Sequence, residues 1–178
     1  FEENVDEIAA VILEPVQLSP PVDNFLEKVR DLAHDRGALL IFDEIITGFR
    51  FHLGGAQEML GVTPDLSAFG KAMGNGMPIS AIVGRVDVMD QMEEIFFSAT
   101  FGGEALSLAA SIAVIDKMER EPVIEKLWSL GQRLADEVTA RIAARGLDDV
   151  IKLKGAGSWK LIKTSDHAGA RAQAIHTL

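Results

Sequence analysis

"ALLIFDEI", residues 38–45, is the stretch that decides the fold. A short apolar run from Ala38 to Phe42 stops abruptly at two acids, Asp43 and Glu44. Such a run suits a strand buried on both faces, the kind that fills parallel sheets. A similar run, "EIAAVILEPV" at residues 7–16, comes earlier and is ended by Pro15. Between the two lies "SPPVDNFLEKVRDLAHDRG", residues 19–37, which reads as a helix. Asp23 offers a cap, Phe25, Val29 and Leu32 share a face, and Gly37 offers a C-terminal stop. Strand, helix and strand in that order predict a parallel sheet with crossover helices.

Downstream, "PDLSAF" (residues 64–69) is a third short strand, ending just before Gly70 and Lys71. "ISAIVGR" (residues 79–85) is a fourth. It follows the glycine-rich "GNGMP", which returns the chain quickly enough for an antiparallel pairing. From Glu104 to about Met118 the pattern is helical, and its many small residues suggest close packing. Pro122 opens a long helix with Leu127, Leu134, Val138 and Ile142 as its apolar stripe and Gly146 at its end. "DVIKLKGAGSWKLIKT" (residues 149–164) reads as two strands around a Gly-rich turn. The expected class is α/β, a mostly parallel sheet with flanking helices.

Composition narrows the partners. Of the 178 residues, 48% are hydrophobic and 25% charged, which is ordinary for a globular chain. A net charge of -10 argues against nucleic acid as the main partner, because phosphate backbones need clustered cations, but it leaves room for a local anion pocket. With no cysteine there are no disulfides or thiolate metal sites, which fits a reducing, cytoplasmic setting. No apolar run approaches the roughly 20 residues of a membrane span. The chain starts at Phe1 without a basic leader and stops in the helical-looking "RAQAIHTL", so it reads as a piece of a longer protein.

Three motifs carry chemistry. Asp43 stands where a parallel strand ends, the rim on which ligands of open sheets bind. Lys71, in "SAFGKAMGNGMP" (residues 67–78), also follows a strand, in a turn that looks tight and dry. Burial disfavours an ammonium and makes the amine nucleophilic, ready to condense with an aldehyde. "SATFGGE" (residues 98–104) places a Thr100 hydroxyl and flexible glycines before a helix, a ready anion site. Each has a plain structural reading by itself: an acid capping a loop, a lysine reaching water, an ordinary cap. Together they supply the amine, the carboxylate for a pyridine nitrogen and the phosphate donors that pyridoxal 5'-phosphate needs.

In addition, "IFDEIITGFR", "GGAQEMLGVTPDLSAFGKAMGNGMPISAIVGR" and "FFSATFGGEALS" closely resemble the class III pyridoxal-phosphate aminotransferases, in particular the glutamate-1-semialdehyde 2,1-aminomutase branch. The likeness runs from about Ala10 to about Ala113 with spacing intact and weakens beyond the long helix. It implies an aspartate-aminotransferase-type large domain (PLP fold type I). Residues 1–121 would be its C-terminal half, 122–146 a connecting helix and 147–178 the start of a small α+β domain. It implies that Lys71 bonds the cofactor aldehyde and that Asp43 pairs with the ring nitrogen. Ile45 would pack on the ring, Thr100 would reach the phosphate in the neighbouring subunit, and Glu14 would be a strand-end acid near the site. It further implies a homodimer with shared active sites, a small-molecule amino donor and a carbonyl acceptor. The upstream Ser-Gly-Thr phosphate turn and ring-stacking aromatic of that family are not in this sequence. Ile46, where many relatives carry Gln in D-E-x-Q-T-G, resembles the aminomutase branch. "TFGGE" departs from that branch, where Gly, Asn and Pro follow the Thr, and so points to a relative acting on another carbonyl compound.

Two other classes compete. "LLIFDE" resembles the Walker B strand of a nucleotide-hydrolysing domain, but that reading needs G-x-x-x-x-G-K-[ST]. Here Ala72 follows Lys71 and Asp65 stands five before Gly70, so the match fails. A non-catalytic piece with exposed sheet edges is the third reading. No metal site is expected: His34, His52, His167 and His176 are scattered, and the "DQMEE" run at residues 90–94 reads as a solvated surface. Trp128 and Trp159 read as core or interface residues.

Overall fold

The computed structural model describes residues 1–4 and 6–165; His167, His176 and "RAQAIHTL" lie outside them. Four strands, β1 (Ala10–Leu13), β2 (Leu39–Asp43), β3 (Leu66–Phe69) and β4 (Ala81–Gly84), form one sheet in the order β1-β2-β3-β4. β1, β2 and β3 are parallel, with Leu13 opposite Phe42 and Asp43 opposite Ala68. The chain crosses from β1 to β2 through α1 (Phe25–Asp35) and from β2 to β3 through α2 (Ala56–Leu60). β4 runs antiparallel to β3, as the glycine-rich turn predicts. Gly74 is required in that turn, since a Cβ there would stand 2.5 Å from Ile79 Cγ2 and 2.7 Å from the Met77 carbonyl oxygen.

The core is one-sided. Leu26 of α1 packs with Leu40, Phe42 and Val62, and Val11, Leu13, Val29 and Leu60 close around them. Side chains of this size each contribute roughly 1.5–3 kcal/mol when fully buried. The expected two-faced burial of β1 and β2 is not what forms. Leu39, Ile41 and Asp43 are only half-buried and Ile12 is 65% exposed, because the helical segments press on the Leu40–Phe42 face. On α1 the inward line is Leu26, Val29 and Ala33, while Phe25 and Leu32 face water. Asp23 does not cap this helix. Asp23 and Asn24 both take left-handed backbone (φ 55 and 51), which short polar residues tolerate, and swing the chain into α1 without a side-chain cap. Gly37, at φ +70, ends α1 as expected, and its amide donates to the His34 carbonyl oxygen at 3.0 Å.

Asp65, just before β3, fastens the amino-terminal end of the sheet. It is buried, and its carboxylate accepts from the Leu40 amide (2.7 Å) and from Arg85 Nη1 (2.7 Å) and pairs with His34 Nε2 (2.9 Å). Burial pushes its carboxyl up, but the Leu40 amide, Arg85 and His34 outweigh it and hold the group below its ordinary value. A carboxyl with a depressed folded value stabilises the fold above its unfolded value of about 4 and loses that contribution as pH falls through the folded value. Urea melts of Asp65→Asn should therefore show lower stability at neutral pH. The deficit against wild type should shrink as the pH drops below about 4.

After β4 come α3 (Val86–Met89) and a 3-10 turn, Asp90–Glu93, in the solvated "DQMEE" run. α4 (Ala105–Arg120) buries Ser107 and Ser111 one turn apart. Its Leu106, Leu108 and Ile112 face outward, so the small residues do make the close-packed side, but as serines.

The chain forms two compact units, residues 1–16 with 20–124, and residues 17–19 with the chain from Glu125 onward. In the second, α5 (Val123–Ala143) accompanies an antiparallel hairpin of β5 (Ile151–Lys154) and β6 (Leu161–Thr164). α5 buries Gly131, where a Cβ would stand 2.4 Å from the Gly157 carbonyl oxygen. The expected stripe is therefore recentred. Leu127, Val138 and Ile142 are half-buried around Gly131, and Leu134 is exposed. Trp128 lies against Gly157 in this unit.

Candidate active site

Three parallel strands bring their carboxyl ends to one rim. Glu14 directly follows β1, Asp43 ends β2, and Gly70 and Lys71 directly follow β3. Since Asp43 pairs with Ala68, Lys71 comes three residues beyond the point level with Asp43. Ile45 follows on the same rim and reaches toward the lysine's strand, its Cγ2 lying 3.7 Å from where a Cβ on Gly70 would be. The half-buried Asp43 accepts the Ile45 amide through Oδ1 at 3.0 Å. Among the described residues its second oxygen has no hydrogen-bond partner, so one acceptor is open on the rim.

Lys71 opens a 3-10 turn, Lys71–Met73, with left-handed backbone at φ 43. A non-glycine residue held there costs of order 1–3 kcal/mol, and such strain collects at functional sites. The expected dry turn is not found: Lys71 and residues 75–78 are exposed, because the β3–β4 connection projects past the end of the sheet.

Thr100 is exposed on the loop before α4, and no hydrogen bond joins it to the other four among the described residues. The α4 amides are not an open anion cradle either. Glu104 occupies that end: its carboxylate accepts from the Leu106 and Ser107 amides (2.8 Å each) and from the Ser107 hydroxyl (2.6 Å). The Ser107 hydroxyl and these amides hold Glu104 below its ordinary value, so it stays charged where a second anion would have to sit. Of the donors expected in this motif, the Thr100 hydroxyl is one that Glu104 does not engage.

Sequence reasoning passed over Glu44. Its carboxylate is fully buried and accepts from Thr47 and from the first turn of α2. The Asp-Glu pair therefore splits, one acid to the rim and one inward, unlike the two rim-facing acids a Walker B reading requires. The "TG" that follows "FDEII" was the available signal, since a threonine three residues after an acid can bond back to it. Among the described residues no group of three His, Asp or Glu side chains gathers to hold a metal, and no helix is long and apolar enough to cross a membrane.

The amine of Lys71, a carboxylate oxygen of Asp43 without a partner among the described residues and the Ile45 side chain beside Gly70 thus belong to one end of the sheet. The chain's relatives agree with the chemistry expected of these residues. It is similar to an omega-transaminase from Sphaerobacter thermophilus (32% identity, TM-score 0.78, 95% of this chain and 40% of that one). It is also similar to the FumI protein of Sphingopyxis sp. MTA144, solved in its PLP internal aldimine form (29%, TM-score 0.82, 93% and 41%). A β-phenylalanine aminotransferase from Variovorax paradoxus matches as well (29%, TM-score 0.79, 97% and 44%). The chain thus spans about two fifths of the length of these structures. A family model described as aminotransferase class-III matches residues 1–177, and with the rim geometry this settles the kinship: the chain belongs to the class-III aminotransferase family.

Proposed function

We propose that the protein carrying this chain transfers amino groups between a small-molecule donor and a carbonyl acceptor, with pyridoxal 5'-phosphate as cofactor and Lys71 as its attachment point. The observation that supports this reading is the register: Asp43 pairs with Ala68, so Asp43 and Lys71 leave neighbouring strands at the same end of the sheet, with Ile45 beside Gly70. When bound, the cofactor supplies an electrophilic aldehyde and a ring that stores an electron pair. Lys71 would supply the amine that holds the cofactor at its aldehyde end. The same amine, when not so engaged, would serve as the base that moves a proton at the substrate carbon. Asp43 would hold the ring-nitrogen end of the cofactor through its open oxygen, and Ile45 would pack against the ring. Glu14, directly after β1, would be the strand-end acid near the cofactor.

In this reading residues 1–121 are the C-terminal half of a large domain, residues 122–146 a connecting helix and the remainder the start of a small domain. A second copy completes the site. Exposed apolar side chains along residues 96–112, among them Phe96, which is 96% exposed, Phe97, Phe101, Leu106 and Ile112, support a homodimer. Thr100, on the same stretch, would bond the phosphate held by the partner. The absence of cysteine fits a cytoplasmic enzyme. Ile46 favours a second reading, an aminomutase that returns the amine to the same molecule.

Borohydride reduction of the protein mixed with pyridoxal 5'-phosphate, followed by peptide mapping, should place the label on Lys71. A label on any other lysine overturns the assignment. Release of a free oxo product from a single amino donor would distinguish transfer between molecules from transfer within one.

A further inference from the structure

We infer that Glu44 is a positioning residue for the chemistry at Lys71, an inference that rests on the functional reading above. Its buried carboxylate takes three donors. Oε2 accepts the Thr47 hydroxyl and the Ala56 amide (2.8 Å), and Oε1 accepts the Gln57 amide (2.7 Å). The loop is pressed against it: Gly55, at φ +88, has no room for a Cβ, which would lie 2.6 Å from Oε1. The main chain is tied equally tightly. The Glu44 amide donates to the Ala68 carbonyl oxygen at 2.9 Å, and the Gly48 amide donates to the Glu44 carbonyl oxygen at 2.8 Å. Arg50 Nη1 donates to the Ile46 carbonyl oxygen at 2.7 Å, closing the turn from its far side.

The turn so closed, residues 44–48, touches both residues that precede the lysine. Ile45 lies against Gly70, and Gly48 comes so near Phe69 that a Cβ would fall 2.4 Å from the ring. Phe49, at φ 61, sets its ring edge-on to Phe69 with centroids 5.9 Å apart. A continuous set of contacts therefore leads from the buried carboxylate through the 44–48 turn and left-handed Phe49 to Phe69 and Gly70, the two residues before the strained Lys71. Only a carboxylate serves all three donors. Glutamine has one oxygen and would turn its NH2 toward a backbone N–H.

The test compares Glu44→Gln and Thr47→Val with Asp65→Asn in the holoenzyme. Asp65 is an equally buried carboxylate on the opposite rim and controls for lost stability. Glu44→Gln should lower kcat about a hundred-fold with KM little changed. It should also shift the pH at which the bound cofactor's visible absorbance changes. In the cofactor-free protein it should speed amide exchange at residues 70–75 by roughly ten-fold. Thr47→Val should do the same more weakly, and it decides the matter alone if Glu44→Gln does not fold. Asp65→Asn should move neither the spectrum nor that exchange. Faster exchange confined to residues 45–57, with spectrum and residues 70–75 unchanged, overturns the inference. A wild-type protein that reduction leaves unlabelled overturns the functional reading instead, while the exchange comparison, which needs no cofactor, still judges Glu44's hold on the turn.

Discussion

Replacing Lys71 with alanine should abolish reducible labelling and cut kcat/KM by at least about ten-thousand-fold, the upper range for removing a positioned acid–base group, with covalent attachment lost in addition. Replacing it with glycine should be equally silent in catalysis yet give a more stable cofactor-free protein. The two differ because Lys71 holds φ 43, a conformation that a Cβ resists and glycine accepts. Relief of that strain is worth roughly 1–2 kcal/mol. A gain of that size should raise the melting temperature of Lys71→Gly above that of Lys71→Ala by about 2–4 °C per kcal/mol. Calorimetry on the cofactor-free proteins checks this. Equal melting temperatures would mean that the turn relaxes without its lysine and stores no strain.

Asp43→Asn should separate binding from turnover. Its remaining side-chain oxygen can still accept the Ile45 amide, the one contact that Oδ1 makes now. The turn into the 44–48 loop should therefore survive, and stability should change by no more than about 0.5 kcal/mol, as for an ordinary surface substitution. What changes is the second position. An oxygen that can accept a ring N–H becomes an NH2 that cannot. If Asp43 holds the ring nitrogen as proposed, kcat should fall by about 10²–10³, the usual loss when one preorganised electrostatic partner is removed. Labelling at Lys71 should persist. Unchanged kcat with intact labelling would remove Asp43 from the mechanism.

The parallel core was legible because its signals are local. Apolar runs ended by Pro15 or by acids marked β1 and β2, and "GNGMP" announced the reversal into β4. Side-chain facing was less legible. On α1 both Phe25–Val29–Leu32 and Leu26–Val29–Ala33 have helical spacing, and only the tertiary partner selects the second. On α5 an exposed Leu134 and a buried Gly131 invert what hydropathy suggests, because close approach to Gly157 outweighs side-chain size. At the site, strand ends placed Asp43 and Lys71 on one rim, since parallel pairing obliges it. The roles of Glu44 and Glu104 were hidden because both acids cap backbone amides, a use that depends on loop geometry rather than on spacing.

Asp65 has a consequence for how this scaffold can change over time. It knots α1, β2 and β4 together at the amino rim, opposite the reactive one. With the strands fastened there, loops at the far edge can lengthen, shorten or swap residues without loosening the sheet. Sequence change can accumulate on one side while the other keeps the strands in step.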